Sequence, residues 1–291
     1  HVCGSVRPQR LMMPVDFEGH AVRDGEGHKH FYALDFARVF PPAFDNTTPF
    51  DYLPNSYLVR LLRPEFVTSW KEPLSSDACS RFGEHDREAH DSELERATRY
   101  LVEHVVPECA AWLDSQKGLS QTDVMVQVHR RGINYRYLGL VRSKASNPGI
   151  RKALLCEMIA RVCKNWLGAL QRAQMRAATT IEEDAYKVIA VNFFNYMLSW
   201  PFRMDTSAEF WKDIKPRLMS MYPNCLSKKE KADTYSLQGD VDMVALFQRV
   251  QELTGIKLRK SALEALKLCP RGFKVVISDI KSMNVVLKHM N

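Results

Sequence analysis

NPGIRKALLCEMIARVCKNWLGALQRAQM, residues 147–175, decides the fold class. Asn147-Pro148-Gly149 breaks the chain, and proline suits the first position of a helix because the amide it lacks would have no partner there. The spacing predicts one long helix over about 149–175. Cys156 and Cys163 lie seven apart, which places both on one face, and burial as small apolar side chains is the expected use of such a pair. Upstream, Leu94, Ala97, Leu101 and Val105 recur every three or four residues behind Asp91-Ser92, with Glu95 placed to complete a capping box. Pro107 should kink or end that helix, with a further turn or two over 108–113. Ser120 and Asp123 have the spacing of a cap, for a helix over about 121–131 that stops at Gly132, a residue free to take the left-handed conformation of helix ends. A short helix is expected through Tyr137, Leu138 and Val141 until Ser143. Downstream, Thr180 with Glu183 opens a helix to about Trp200, where Pro201 stops it. Ser207 opens another, carrying Phe210, Trp211, Ile214 and Leu218, with Pro216 as its flaw.

The two ends read differently. Residues 1–40 alternate short apolar runs with Asp24-Gly25-Glu26-Gly27, the pattern of a small β-hairpin, and Pro41-Pro42 closes it. An irregular connector rich in Pro, Asp, Asn and Ser follows to about Phe82, with one short helix expected over 55–62. Residues 222–233, with Lys228-Lys229-Glu230-Lys231, read as an exposed loop and a possible subdomain seam. A helix is expected over 240–254 with Gly255 as its stop, and 256–260 alternates like a strand. Residues 262–268 and 277–286 fit short helices or strands equally well. The expected class is α+β and predominantly α-helical: a small N-terminal β-hairpin on a helical body, with a short α/β tail. Three parts are expected, 1–90, 91–222 and 223–291.

With 291 residues, 45% apolar and 26% charged, the chain has length for one large core or two smaller ones. No stretch approaches the roughly 18 consecutive apolar residues of a membrane-spanning helix, so membrane insertion is not expected. The first residue is His1 and no signal segment follows, so the chain reads as a piece of a longer one. Seven scattered cysteines without a C-x-x-C pair suit a reducing compartment.

The net charge of +7 hides a division. Residues 1–127 carry 13 Lys+Arg against 20 Asp+Glu, whereas 128–291 carry 28 against 14. Clustered cations gain affinity for phosphate backbones by releasing counterions, so the later half suggests a polyanion partner. A solvated basic surface, or one that meets the acidic half, would leave the same count.

Chemical motifs are sparse. The chain has no phosphate-binding loop, dinucleotide fingerprint or nucleophile elbow. His85 and His90 are five apart and do not share a helix face as zinc-binding pairs do; His28 and His30 fall in the hairpin. No cofactor, metal or small-molecule substrate is expected. Phe193, Phe194, Tyr196, Trp200, Phe202, Phe210 and Trp211 read mostly as core.

Residues 131–141, RGINYRYLGLV, closely resemble the R-G-I-N-x-R-Y-L-G-x-V signature of clustered-mitochondria (Clueless-type) proteins. Phe31, Tyr32, Leu34, Asp35, Arg38, Phe40, Pro41 and Pro42 look like that family's D-G-R-x-Y-x-L-D-x-x-R-x-F-P-P, and Tyr235-Ser236-Leu237 with Leu253-Thr254-Gly255-Ile256 look like the region before its helical repeats. The resemblance implies the end of the CLU domain plus the central helical region associated with translation initiation factor three. It further implies a non-catalytic cytoplasmic protein, with messenger RNA, ribosome-associated factors and the rest of the parent chain as partners, that governs mitochondrial distribution.

Around the signature, Arg130, Arg131, Tyr135, Arg136, Arg142 and Lys144 mix cations with rings, a combination able to pair phosphates and stack bases. Against this, Ile133, Tyr137, Leu138 and Val141 have core spacing, and Gly132 and Gly139 suit chain reversal or close packing. A protein-interaction scaffold is the second reading, and an enzyme with a site dispersed along the chain the third.

Overall fold

Helix forms wherever the apolar period is three or four in the computed structural model, which describes residues 19–23, 25–33, 39–44, 60–80, 86–177, 183–198, 207–268 and 273–283. The chain divides into two compact units, one of residues 1–115 with 125–137, the other of 116–124 with 138–291.

The first unit begins with the expected hairpin. Strands β1 (Gly19–Arg23) and β2 (Lys29–Ala33) pair antiparallel from Gly19 opposite Ala33 to Arg23 opposite Lys29. Pro42 and Leu61 form an isolated bridge, closed by Ala43 N–H to the Arg60 carbonyl at 2.6 Å and Leu62 N–H to the Pro41 carbonyl at 2.8 Å. Helix α1 (Pro64–Ser69) follows, starting on its proline. The helix expected over 55–62 falls largely outside the described residues.

Helix α2 (Arg87–Tyr100) begins five residues before Ser92, the expected cap. The Asp91 carboxylate instead accepts the Cys79 N–H at 2.6 Å, fastening the preceding loop to the helix. Pro107 does not end the element. A π-helical turn over Leu101–Val105 carries α2 straight into α3 (Val106–Ser115). Proline removes one amide and crowds the preceding turn, and the wider i→i+5 turn before it, with Val106 N–H on the Leu101 carbonyl, relieves that crowding.

Helix α4 (Gln121–Arg130) has the expected cap: Ser120 Oγ accepts the Asp123 N–H at 3.1 Å, and the Asp123 carboxylate accepts the Ser120 N–H at 3.1 Å. It stops at Gly132, whose φ is 75° and whose N–H reaches the His129 carbonyl at 2.8 Å. A Cβ there would stand 2.5 Å from Phe66, so the position requires glycine twice over. Phe66, Leu94, Leu101, Leu113, Val128 and Ile133 are buried in this unit.

The second unit is organised by one helix. After α5 (Leu138–Lys144), α6 (Pro148–Ala177) runs 30 residues, about 45 Å at 1.5 Å per residue, as the opening stretch predicts. Next come α7 (Glu183–Leu198), α8 (Ser207–Met221), α9 (Lys228–Lys231), α10 (Met243–Thr254) and α11 (Lys260–Leu268). Helices α5, α7, α8 and α10 all pack on α6. Residues 154–160 of α6 are buried all round, Cys156 included, and Cys163 is buried one turn further on. Burial pushes the Cys156 thiol up to about 12, so both cysteines serve as apolar filling.

Pro216 lies on the exposed side of α8 and leaves it continuous. Phe193, Phe194, Phe210 and Trp211 are core, with Trp166 stacked on Phe210 at 5.8 Å; Trp200 and Phe202 fall outside the described residues. The tail resolves its ambiguity both ways: 260–268 is helical, whereas β4 (Ile280–Met283) pairs antiparallel with β3 (Ile256–Leu258). The Asn195 amide exchanges hydrogen bonds of 2.9 and 2.8 Å with the Val275 backbone and ties the tail to α7.

The exposed-loop reading of 222–233 is corrected. Tyr222, Cys225, Leu226 and Glu230 are buried, and Ser227 with Glu230 forms a complete capping box for α9. Three apolar and aromatic anchors ahead of the lysines, with the paired Glu230 among them, outweigh the run of charge that made the stretch look solvated.

Candidate nucleic-acid interface around the signature segment

The signature segment is two turns and two glycines, and its geometry sorts the six candidate residues. In the first unit, Arg130 ends α4 in solvent. Arg131 points back: its guanidinium lies 3.8 Å from the Trp112 ring centroid, and Nη1 donates to the Gln127 side chain at 2.9 Å and the Gln127 carbonyl at 3.2 Å. Tyr135 is half-buried, its ring edge-on to His129 at 4.1 Å. Arg136 donates through Nη2 to the Leu61 carbonyl at 2.6 Å, with its guanidinium 5.7 Å from the Tyr137 ring. These two arginines satisfy their own unit's acceptors and rings, as the segment's close packing at Gly132 requires.

In the second unit, Lys144 is exposed at the end of α5. Arg142 is removed from the expected contact set. Its side chain is 3% exposed, it pairs with both Glu230 oxygens at 2.6 and 3.0 Å, donates to the Cys225 carbonyl, and gives Nε to the Arg151 carbonyl at 3.1 Å. Four of its five N–H donors are engaged and the side chain is buried, which leaves it no surface for a phosphate. Burial works against the Glu230 charge, but the Arg142 guanidinium and the Ser227 N–H outweigh it and hold the carboxyl down at about 2. Arg151 completes the joint by donating to the Arg142 and Ala145 carbonyls at 2.7 and 3.1 Å, satisfying the end of α5. Gly139 permits this approach, since a Cβ there would stand 2.5 Å from the Pro223 carbonyl oxygen.

A second buried charge centre escaped the sequence reading. Glu157 is fully buried in α6. Its carboxylate receives Arg249 Nε and Nη2 at 2.7 and 3.0 Å, Arg161 Nε at 2.7 Å, and Gln121 Nε2 at 3.4 Å. Burial would raise its pKa, and the two guanidinium groups more than reverse that. A single acid inside Leu154-Leu155-Cys156-Glu157-Met158-Ile159 was the available signal, because an unpaired carboxylate could not survive there. Its partner 92 residues away had none.

No described helix is long and apolar enough to cross a membrane. Residues 121–201, from α4 to the end of α7, match the family of translation initiation factor eIF3 subunit 135. An uncharacterized protein of Dictyostelium discoideum is 27% identical over 153 residues, half of this chain. The matched part spans 14% of the length of that relative, and no solved structure matches the chain. The segment holding the signature, α5 and α6 is therefore similar to a translation-factor helical module.

Proposed function

We propose that this chain is a non-catalytic, cytoplasmic, RNA- and ribosome-associated module of a clustered-mitochondria-type protein, acting through its parent on messenger RNAs for mitochondrial proteins and on mitochondrial distribution. One observation carries the reading: the stretch similar to the translation initiation factor family, 121–201, contains the whole RGINYRYLG signature. Arg130 and Lys144 are the signature-region contacts this reading keeps, because both are exposed cations, and Tyr135 offers a half-buried ring. Arg131, Arg136 and Arg142 hold the segment's shape. Along the sequence the proposal retains an end of the CLU domain over 1–90, a central helical region over 91–222 and a tail over 223–291.

The test is co-sedimentation of the full chain with purified small ribosomal subunits, alongside filter binding of single-stranded RNA across a salt series. Association that weakens steeply with salt, and weakens further in Arg130→Glu with Lys144→Glu, supports the reading. Absence of both associations at low salt overturns it in favour of an interaction scaffold. The observation on the scaffold's side is that three of the six signature-region candidates already bind this chain's own groups.

A further inference from the structure

Helix α6 changes character at its middle. Residues 154–160 are enclosed, whereas from Arg161 onward one face emerges into solvent. At 100° per residue, Lys164, Arg172 and Arg176 fall within about a third of the helix circumference, together with exposed Asn165 and Ala169. Lys164 to Arg176 spans about 18 Å along the axis. Between Met158 and Ile181 the sequence holds no Asp or Glu. Arg161, at the start of this face, is held by Glu157. Among the described residues Lys164, Arg172 and Arg176 form no ion pair, unlike Arg142 and Arg161.

The edge of this face carries a ring system. Arg217 of α8 lays its guanidinium 3.9 Å from the centroid of Trp166, which in turn stacks on Phe210 with an interplanar angle of 4°. Arg217 is itself exposed, and its Nη1 donates to the Asp213 carbonyl at 3.4 Å. Beside it, Asn165 of α6 touches Met221 of α8, so the α8 ridge runs along the basic face. On the same helix the Asp213 carboxylate accepts the Tyr196 hydroxyl at 3.0 Å.

We infer that this face of α6, formed by Lys164, Arg172 and Arg176 and edged by Arg217 on Trp166, is a binding track for single-stranded RNA. The inference rests on the proposed function and makes the outward-facing cations of α6, rather than Arg130 and Lys144, the main contact. A row of unpaired cations suits any polyanion, but a guanidinium pre-stacked on an indole adds a flat cationic surface on which a base can stack. A lipid surface or an acidic peptide supplies charge for the row but no base to stack on that plane.

The experiment uses the full chain, a labelled 12-nucleotide single-stranded RNA, inorganic polyphosphate as a polymer without bases, and phosphatidylserine vesicles. The triple variant Lys164→Gln, Arg172→Gln, Arg176→Gln is expected to weaken RNA binding at least about tenfold at low salt and to lower the log–log salt slope by about 2, at about 0.7 per phosphate contact on a single strand. Arg217→Lys keeps the charge and loses the plane, so it should weaken RNA roughly fivefold or more, the lower end of one stacked base, and leave polyphosphate binding unchanged. Unchanged RNA affinity in a triple variant with wild-type circular dichroism and melting overturns the track. Equal or tighter binding of polyphosphate or vesicles by the wild type overturns its RNA specificity. Co-sedimentation with ribosomal subunits but no binding of free RNA sinks the track and leaves the proposed function standing; loss of both associations sinks the two together.

Discussion

Two arginine-rich stretches of this chain, 130–144 and 161–176, have opposite uses. In the first, Arg131 lies on Trp112, Arg136 on the Leu61 carbonyl and Arg142 on Glu230. In the second, after Arg161, the cations stand in water. Local composition does not separate them. What separates them is whether the fold delivers an acceptor to each guanidinium, and Glu230 reaches Arg142 across 88 residues. A cation count is therefore a poor guide to a binding surface until internal partners are subtracted.

The largest test of this contrast is Arg142→Met. It strands Glu230 in a buried site, and breaking such a pair from one side costs about 3–5 kcal/mol. Urea unfolding should register that loss, and adding Glu230→Leu should recover most of it; a single variant within about 0.5 kcal/mol of wild type would mean that the pair is not a structural joint. Gly132→Ala comes next. A side chain at φ 75°, with its Cβ 2.5 Å from Phe66, adds strain to a steric clash, and about 2–4 kcal/mol is expected.

Acid offers a milder probe. The Glu230 carboxyl titrates at about 2 in the folded chain, below its ordinary value of 4.5, so its contribution is complete above that ordinary value and fades as pH falls toward 2. Glu157, also lowered, adds to the same slope. Stability should therefore decline from pH 5 toward pH 2 more shallowly in Glu230→Gln than in wild type, read as denaturation midpoints across that range; parallel profiles would contradict it. The smallest effect belongs to the exposed face: Lys164→Gln, Arg172→Gln and Arg176→Gln should each change stability by no more than about 0.5 kcal/mol, as solvated positions do. A larger loss in thermal melts would show that they hold the fold.

How legible each feature was follows from the range of the interaction behind it. The long helix, the Ser120–Asp123 cap and the stops at Gly132 and Gly255 depend on neighbours a few residues apart, and all stand where their spacing puts them. Pro107 was expected to kink or end the helix, and the element instead continues past it through a π-helical turn, because the outcome depends on whether the preceding turn can widen, which no local pattern records. Residues 222–233 misled because the lysines are visible in sequence whereas the acceptor role of the Cys225 carbonyl and the Glu230 carboxylate is not. Among the candidate contacts, exposure of Arg130 and Lys144 fits the reading, while Arg142 was misplaced for the same reason. The α6 face had a readable sign, cations on one side of a helix with no acid over two dozen residues, which a charge count over 128–291 as a whole does not single out.

The path of the backbone through α4 has a practical corollary. Residues 121–124 cluster with one body and 125–130 with the other, and the chain returns to the second after Tyr137. Neither body is thus an uninterrupted length of polypeptide. Any single scission between 115 and 138 removes a native piece from at least one of them, so no one cut there releases both bodies whole.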